Sequence, residues 1–284
     1  MSETAFQIQY RQESIAGFEQ NQSLVRDTVT TEATIKGNQA VFLVADSGAA
    51  TAVTRGVNGL IPARPDNLTQ NTATLLEWHD LVRKTGFNIF ASQGDQNAIM
   101  QRTTMAVINR KMDSDIITEL NTATNDTGAA ATASLSMALY AKTILGNNYV
   151  PFDGNIWALI SPGYEAYLLQ TREFTDGMAY VQNKPMVDAP TAWMDKPGYY
   201  RWLGVNWIVH PNLPGAGTNA EKCFMYHKSA IGHAVDVKGL QTPVGYDEEQ
   251  DYTWARATVF MGSKLLQNSG VVVMNHDGSA FAAQ

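Results

Sequence analysis

SQGDQNAIMQRTTMAVINRKMDSDIITEL, residues 92–120, carries the clearest helical period in the chain. Met105, Ile108, Met112, Ile116 and Leu120 follow at steps of three and four, which places them in one stripe on a helix of 3.6 residues per turn. Ser92 is the expected N-cap, with Asp95 near the positive end of the helix dipole. Gln101, Arg102, Thr104, Asn109, Arg110, Lys111, Asp113 and Asp115 are expected on the polar face. A helix over the whole stretch would be roughly 44 Å long at 1.5 Å per residue. A rod of that length with one apolar stripe needs an extended surface to lie on.

The chain around it has 284 residues, 44% of them apolar, enough for a substantial core in one large domain or two smaller ones. Charged residues make up only 17%, against about 25% in an average domain, and Thr, Asn, Gln and Ser fill the gap. Such a surface suits contact with other protein surfaces. The net charge of -7 and the lack of any Lys/Arg run argue against a dedicated nucleic-acid binder. Cys223 is the single cysteine, so no intramolecular disulfide forms, which fits folding in a reducing cytoplasm. MSETAFQIQYRQE has no basic region followed by an apolar stretch, and is not expected to be a secretory signal. No apolar run approaches the roughly 20 residues of a membrane helix.

Before the long helix, residues 1–29 read as an extended or partly helical arm, either frayed or ordered only against a neighbour. Residues 33–37 and 39–45 read as strands about a Gly37-Asn38 turn, residues 50–55 as a further strand, and residues 71–78 as a returning strand. The result is a long two-stranded ribbon, marginal by itself. After the helix, Thr132 or Ser134 opens a second helix with Leu135, Leu139 and Lys142 on one side and Gly146-Asn147 at its end. Residues 155–160 form an apolar strand, and Ser161-Pro162 starts a helix. Residues 204–209, 222–226, 230–235 and 270–274 read as strands. In residues 252–261, Tyr252, Trp254, Arg256, Thr258 and Phe260 face one way and Ala255, Ala257 and Val259 the other. The class is α+β with mixed or antiparallel sheets.

Catalytic patterns are missing. There is no GxSxG elbow, no phosphate loop and no GxGxxG at a strand–helix junction; Gly215-Ala-Gly217 reads as a turn. Cys223, His227 and His233 fall within eleven residues but lack metal-site spacing, and read as ordinary side chains. Asp247-Glu-Glu-Gln-Asp251 lacks the calcium-loop spacing and reads as a solvated turn. Trp193, Tyr199, Tyr200, Trp202 and Trp207 have little basic company, and read as core or interface aromatics rather than a sugar or base platform. No catalytic, cofactor-binding or metal residues are assigned, and no cofactor is expected.

The order of these pieces resembles a tailed-bacteriophage (Caudoviricetes) major capsid protein of the HK97-fold family, over nearly the whole chain. An arm precedes a Thr/Ala/Gly-rich ribbon, Ile35 to Leu76, similar to that family's extended E-loop. Val107 to Leu120 resembles the C-terminal half of its spine helix. Asn155 to Leu169 and Leu203 to Pro214 are similar to the strand, "SP" turn and helix and to the "NLP" exit of its A-domain. The resemblance implies an N-terminal arm over 1–29, an E-loop ribbon over 30–76, a P-domain with spine helix over 77–127, an A-domain with mixed sheet over 128–245, and return strands of the P-domain and the C-terminus over 246–284. The apolar stripe would then lie across the P-domain sheet, with the polar face toward the shell interior.

It implies a structural protein, not an enzyme. Hexamers and pentamers of it would self-assemble into an icosahedral virion shell around double-stranded DNA, without sequence-specific DNA contacts and without a membrane. Synthesis would be in the bacterial host cytoplasm, with portal, scaffolding and decoration proteins as partners. Certain relatives crosslink an E-loop Lys to an Asn of a neighbour. Beyond Lys36 this ribbon has no lysine until Lys84, so no such crosslink is expected. Only about 29 residues precede the ribbon, so scaffolding is expected as a separate protein or not at all. The rivals are an encapsulin-like nanocompartment shell and a monomeric hydrolase or sugar-binding domain.

Overall fold

A computed structural model of the chain describes residues 22–31, 33–47, 50–64, 67–91, 95–175, 184–185, 199–236 and 239–281. The chain divides into two compact units. The larger holds Leu24–Leu76, Met112–Asp236 and Met261–Gln284; the smaller includes Glu77–Lys111 and Val237–Phe260.

In the larger unit, β1 (Thr34–Lys36) and β2 (Gln39–Asp46) reverse at Gly37-Asn38, where Gly37 takes a φ of +62° that costs glycine nothing. β2 continues antiparallel against β3 (Asn67–Thr74), in register from Gln39↔Thr74 to Asp46↔Asn67. The strand expected over residues 50–55 does not form. Among the described residues the ladder ends at Asp46↔Asn67, and at the tip the backbone closes on itself: Gly59 donates to Gly56 and Gly56 to Leu60, at 2.8 and 2.9 Å. The returning strand is two strands. It breaks at Leu75, whose N–H bonds the Asn38 carbonyl at 2.8 Å, before β4 (Leu76–Thr85) joins a different sheet.

A short helix, α1 (Gly86–Ala91), precedes α2 (Gln96–Leu120), whose 25 residues span roughly 37 Å. Asp95 caps α2 by accepting from the N–H groups of Asn97 and Ala98 at 3.1 and 3.2 Å. The expected cap, Ser92, lies outside the described residues. Gln96, Met100, Thr104, Ile108, Met112, Ile116 and Leu120 are all buried. Each step of four residues advances about 40° around a 3.6-residue helix, so this line winds around α2 rather than forming one fixed stripe. Three expectations change as a result. Met105, placed in the stripe, is 36% exposed. Thr104 and Asp113, placed on the polar face, are buried. Thr104 is tolerated because its hydroxyl donates within the helix, to Met100 and Gln101 carbonyls at 3.1 and 2.9 Å.

α3 (Leu135–Asn147) begins at Ser134, which accepts from the Met137 N–H. Its buried face is Met137, Ala138, Ala141 and Leu145, whereas Leu139 is 41% exposed. β5 (Ile156–Ile160) is wholly buried and ends at Ser161, the N-cap of α4 (Pro162–Gln170), with Pro162 in the first turn. α5 (Arg172–Thr175), β6 (Lys184–Pro185), β7 (Tyr199–Trp202), β8 (Val205–Val209), β9 (Glu221–His227), β10 (Ile231–Val235), β11 (Val244–Asp247), β12 (Tyr252–Leu265) and β13 (Val271–His276) follow.

The six-stranded sheet runs β13-β9-β5-β8-β7-β6, with β5 and β8 parallel and the other pairs antiparallel. A mixed sheet was expected in this part of the chain; β13 at its edge was not, since residues 246–284 read as P-domain return strands and the C-terminus. β10 leaves this sheet and pairs with β12, to which β4 and β11 also bond. Along β12 Ala255, Ala257, Val259 and Met261 are buried, the alternation the sequence predicts. Ile116, Ile117 and Leu120 of α2 belong to the core that includes β5, β8, β9 and β13, so the helix's C-terminal turns do not lie on a P-domain sheet alone.

Of the arm expected over residues 1–29, the part up to Asn21 lies outside the described residues. In the remainder, Val25 and Val29 are buried in the larger unit's core and Thr28 is buried as well.

Candidate functional site

The ribbon is the part of the larger unit that its own core does not absorb. Its root is anchored. Ala40, Phe42 and Ala73 pack with Ala234 of β10 in a small apolar cluster. The Phe42 ring fills the space above Gly232, where a Cβ would come within 2.7 Å of two ring carbons. Asn71 donates to the Leu266 carbonyl at 3.2 Å. Beyond that root the apolar residues face solvent. Leu43 and Leu68 are 67% and 58% exposed, and Val53, Val57, Leu60 and Ile61 of the tip are all at least 60% exposed. The tip keeps a defined shape through the Gly56–Leu60 turn and through Arg64, whose guanidinium donates to the Ser47 carbonyl at 3.3 Å. This hydrogen-bonded loop holds four large aliphatic side chains in water, a feature that larger apolar patches at contact surfaces share.

The residues considered for chemistry do not converge. Cys223 is buried in β9 and its thiol points to Glu221; burial pushes its pKa far up, so it is no nucleophile. His227 donates from Nε2 to Asp153 at 3.1 Å, while its Nδ1 accepts from Ser229. His233 bonds Ser263 on β12. No group of three His, Cys, Asp or Glu side chains suited to a metal occurs among the described residues. Asp153 is held down at about 2, first by Asn155 and then by His227.

Residues 247–251 form the turn between β11 and β12. Asp247 accepts from Glu249 and Gln250 N–H, and Asp251 from the Tyr246 hydroxyl. The aromatic stretch is core. Phe174 meets Tyr200 and Trp202 edge-on at 5.4 and 5.0 Å, Trp202 lies 5.8 Å from Trp207, and Trp207 stacks on Tyr164 at 6.3 Å. Trp193 lies outside the described residues. In Gly215-Ala-Gly217, Gly215 sits at φ +71° in a turn and the Gly217 N–H donates to Glu221 at 3.0 Å.

Sequence reasoning missed the buried polar groups. Asp113 accepts from the N–H groups of Leu24 and Val25 at 3.0 and 3.3 Å and from His210 Nε2 at 3.4 Å. His210 Nδ1 accepts from the Asn212 N–H, which leaves the proton of the neutral ring on Nε2.

A family model described as phage capsid protein matches residues 3–278. The chain belongs to the phage capsid protein family. Solved structures agree on its fold. A Mycobacterium phage Che8 chain superposes with a TM-score of 0.70 at 18% identity, over 92% of this chain and 94% of that one. The capsid of the cyanophage P-SCSP1u gives 0.69 at 11% identity, over 96% and 93%. The capsid of Ralstonia phage GP4 gives 0.64 at 11% identity, over 98% of each chain. No curated protein matches the sequence. This capsid protein therefore has the HK97-like α+β fold, and its role is structural. Among the described residues no helix is long and apolar enough to cross a membrane.

Proposed function

We propose that this capsid protein is the major shell subunit of a tailed phage, assembling as hexamers and pentamers into an icosahedral shell around double-stranded DNA. The family match over residues 3–278 carries the reading. The solvent-facing ribbon supports it, because a ribbon with an apolar tip and no core of its own gains partners only from neighbouring copies. Each such contact is modest, and closure multiplies it. In this reading residues 1–29 are the arm, 30–76 the E-loop, 77–127 the P-domain with α2 as spine, 128–245 the A-domain and 246–284 the return strands. Within them, residues 24–29 are packed into the subunit and β13 is shared with the A-domain sheet.

The subunit does no catalysis. Its partners are copies of itself, with portal, scaffolding and decoration proteins, and DNA touched without sequence preference; it resides in the virion after synthesis in the host cytoplasm. A net charge of -7 leaves packaged DNA mobile. No lysine-mediated crosslink joins subunits, so a covalent ladder on a denaturing gel would overturn that part.

Electron microscopy of the purified protein tests the whole. Closed shells are expected, and a compact monomer at all concentrations refutes the assignment. Shells that enclose cargo enzymes and no genome would instead be a nanocompartment.

A further inference from the structure

Residues 24–30 cross the larger unit as a strap. At one end Leu24 and Val25 bond Asp113. In the middle the Thr28 hydroxyl donates to the Val25 carbonyl and accepts from the Tyr226 hydroxyl. At the far end the Thr30 N–H bonds the Ile231 carbonyl at 3.0 Å, the His233 N–H bonds the Thr30 carbonyl at 2.8 Å, and the Thr30 hydroxyl donates to Lys228 at 3.1 Å. Thr30 thus bridges β10 at Gly232, beside His233.

His233 is fully buried. Its Nδ1 lies 2.9 Å from Ser263 Oγ, and that hydroxyl donates to Asp115 at 2.8 Å. A hydroxyl has one proton, so the ring donates from Nδ1 and Nε2 keeps a bare lone pair. Nε2 is buried and has no hydrogen-bond partner. A second proton there would place an unpaired cationic N–H in a dry site, which is costly. Charges reach the ring from each neighbour: Asp113 and, through Ser263, Asp115 from α2, and Arg26 from the strap. Burial first, and Arg26 second, outweigh Asp113 and depress the ring to about 4.

We propose that residues 24–30 are a proton-released strap: a second proton on His233 is accommodated by freeing Thr30 from β10, which admits water to Nε2. This holds for the single chain and does not rest on shell assembly.

With an open-state pKa of 6.5 and a closed-state value of about 4, strap opening should rise about 30-fold between pH 7.5 and 5.0. Hydrogen exchange of the full chain, corrected for intrinsic rates, reads this at Leu24, Val25 and Thr30, which should exchange well ahead of the Val271–His276 amides at both pH values, since those core amides report global unfolding. In His233→Gln the strap should keep the same protection at both pH values. Wild-type strap amides equally protected at pH 5.0, or the same loss in His233→Gln, overturns the proposal. If that variant fails to fold, NMR titration of the wild type decides. The His233 ring and the Thr30 amide must titrate together; separate midpoints refute the strap.

Discussion

Asp113 and His210, 97 positions apart, meet inside the larger unit with Oδ2 3.4 Å from Nε2 and each side chain no more than 2% exposed. The pair is not isolated, since two strap N–H groups share the same carboxylate. Asp113→Ala leaves three donors without an acceptor in a dry site. A loss of about 3 kcal/mol is expected, as for removal of one partner from a buried pair. Urea denaturation measures it, and a loss below about 1 kcal/mol would show that water replaces the carboxylate.

Two of the three methionines of α2, Met105 and Met112, separate the wound line of buried residues from a straight stripe. Met112 is 1% exposed and Met105 is 36% exposed. Met112→Asp should give no soluble subunit, because the charge enters the core. Met105→Asp should stay within about 1 kcal/mol of wild type. Soluble yield and thermal melts check both, and equal damage from the two changes would restore the straight stripe.

What the sequence announced was local. Gly37-Asn38, Ser134 and Ser161-Pro162 mark turns and caps because the residues that bond are within a few positions of each other. The apolar period found α2 but misplaced Met105, since steps of three and four look alike in sequence while a pure step of four winds. The burial of Asp113 depends on Leu24, Val25 and His210, none of them near it in the chain, so no local pattern could reveal it. The ribbon showed as a lack of helical period.

The tip of the ribbon tests function apart from folding. Val57 and Leu60 are 108% and 73% exposed and touch no core. Val57→Glu with Leu60→Glu should shift the subunit's melting temperature by no more than about 2 °C. Shells should nevertheless be absent or open under the electron microscope, because a tip docked on a neighbouring copy, as proposed, would bury two charges. Normal shells from this variant would move the assembly contact elsewhere on the ribbon.

Acid sensitivity follows from His233 with a definite sign. Its folded-state pKa, about 4, lies below the unfolded value of 6.5. The unfolded chain therefore binds the extra proton first as pH falls. The neutral ring's full contribution is present above pH 6.5, declines from 6.5 to 4, and is lost below 4. The shift corresponds to about 3 kcal/mol over that window. Carboxylates add their own acid dependence, so the readout is the difference between wild type and His233→Gln in urea melts at about pH 7 and pH 4.5. The wild type should lose more stability than the variant, whose side chain takes no proton. Parallel losses would mean that the buried ring is hydrated and titrates as it does in the unfolded chain.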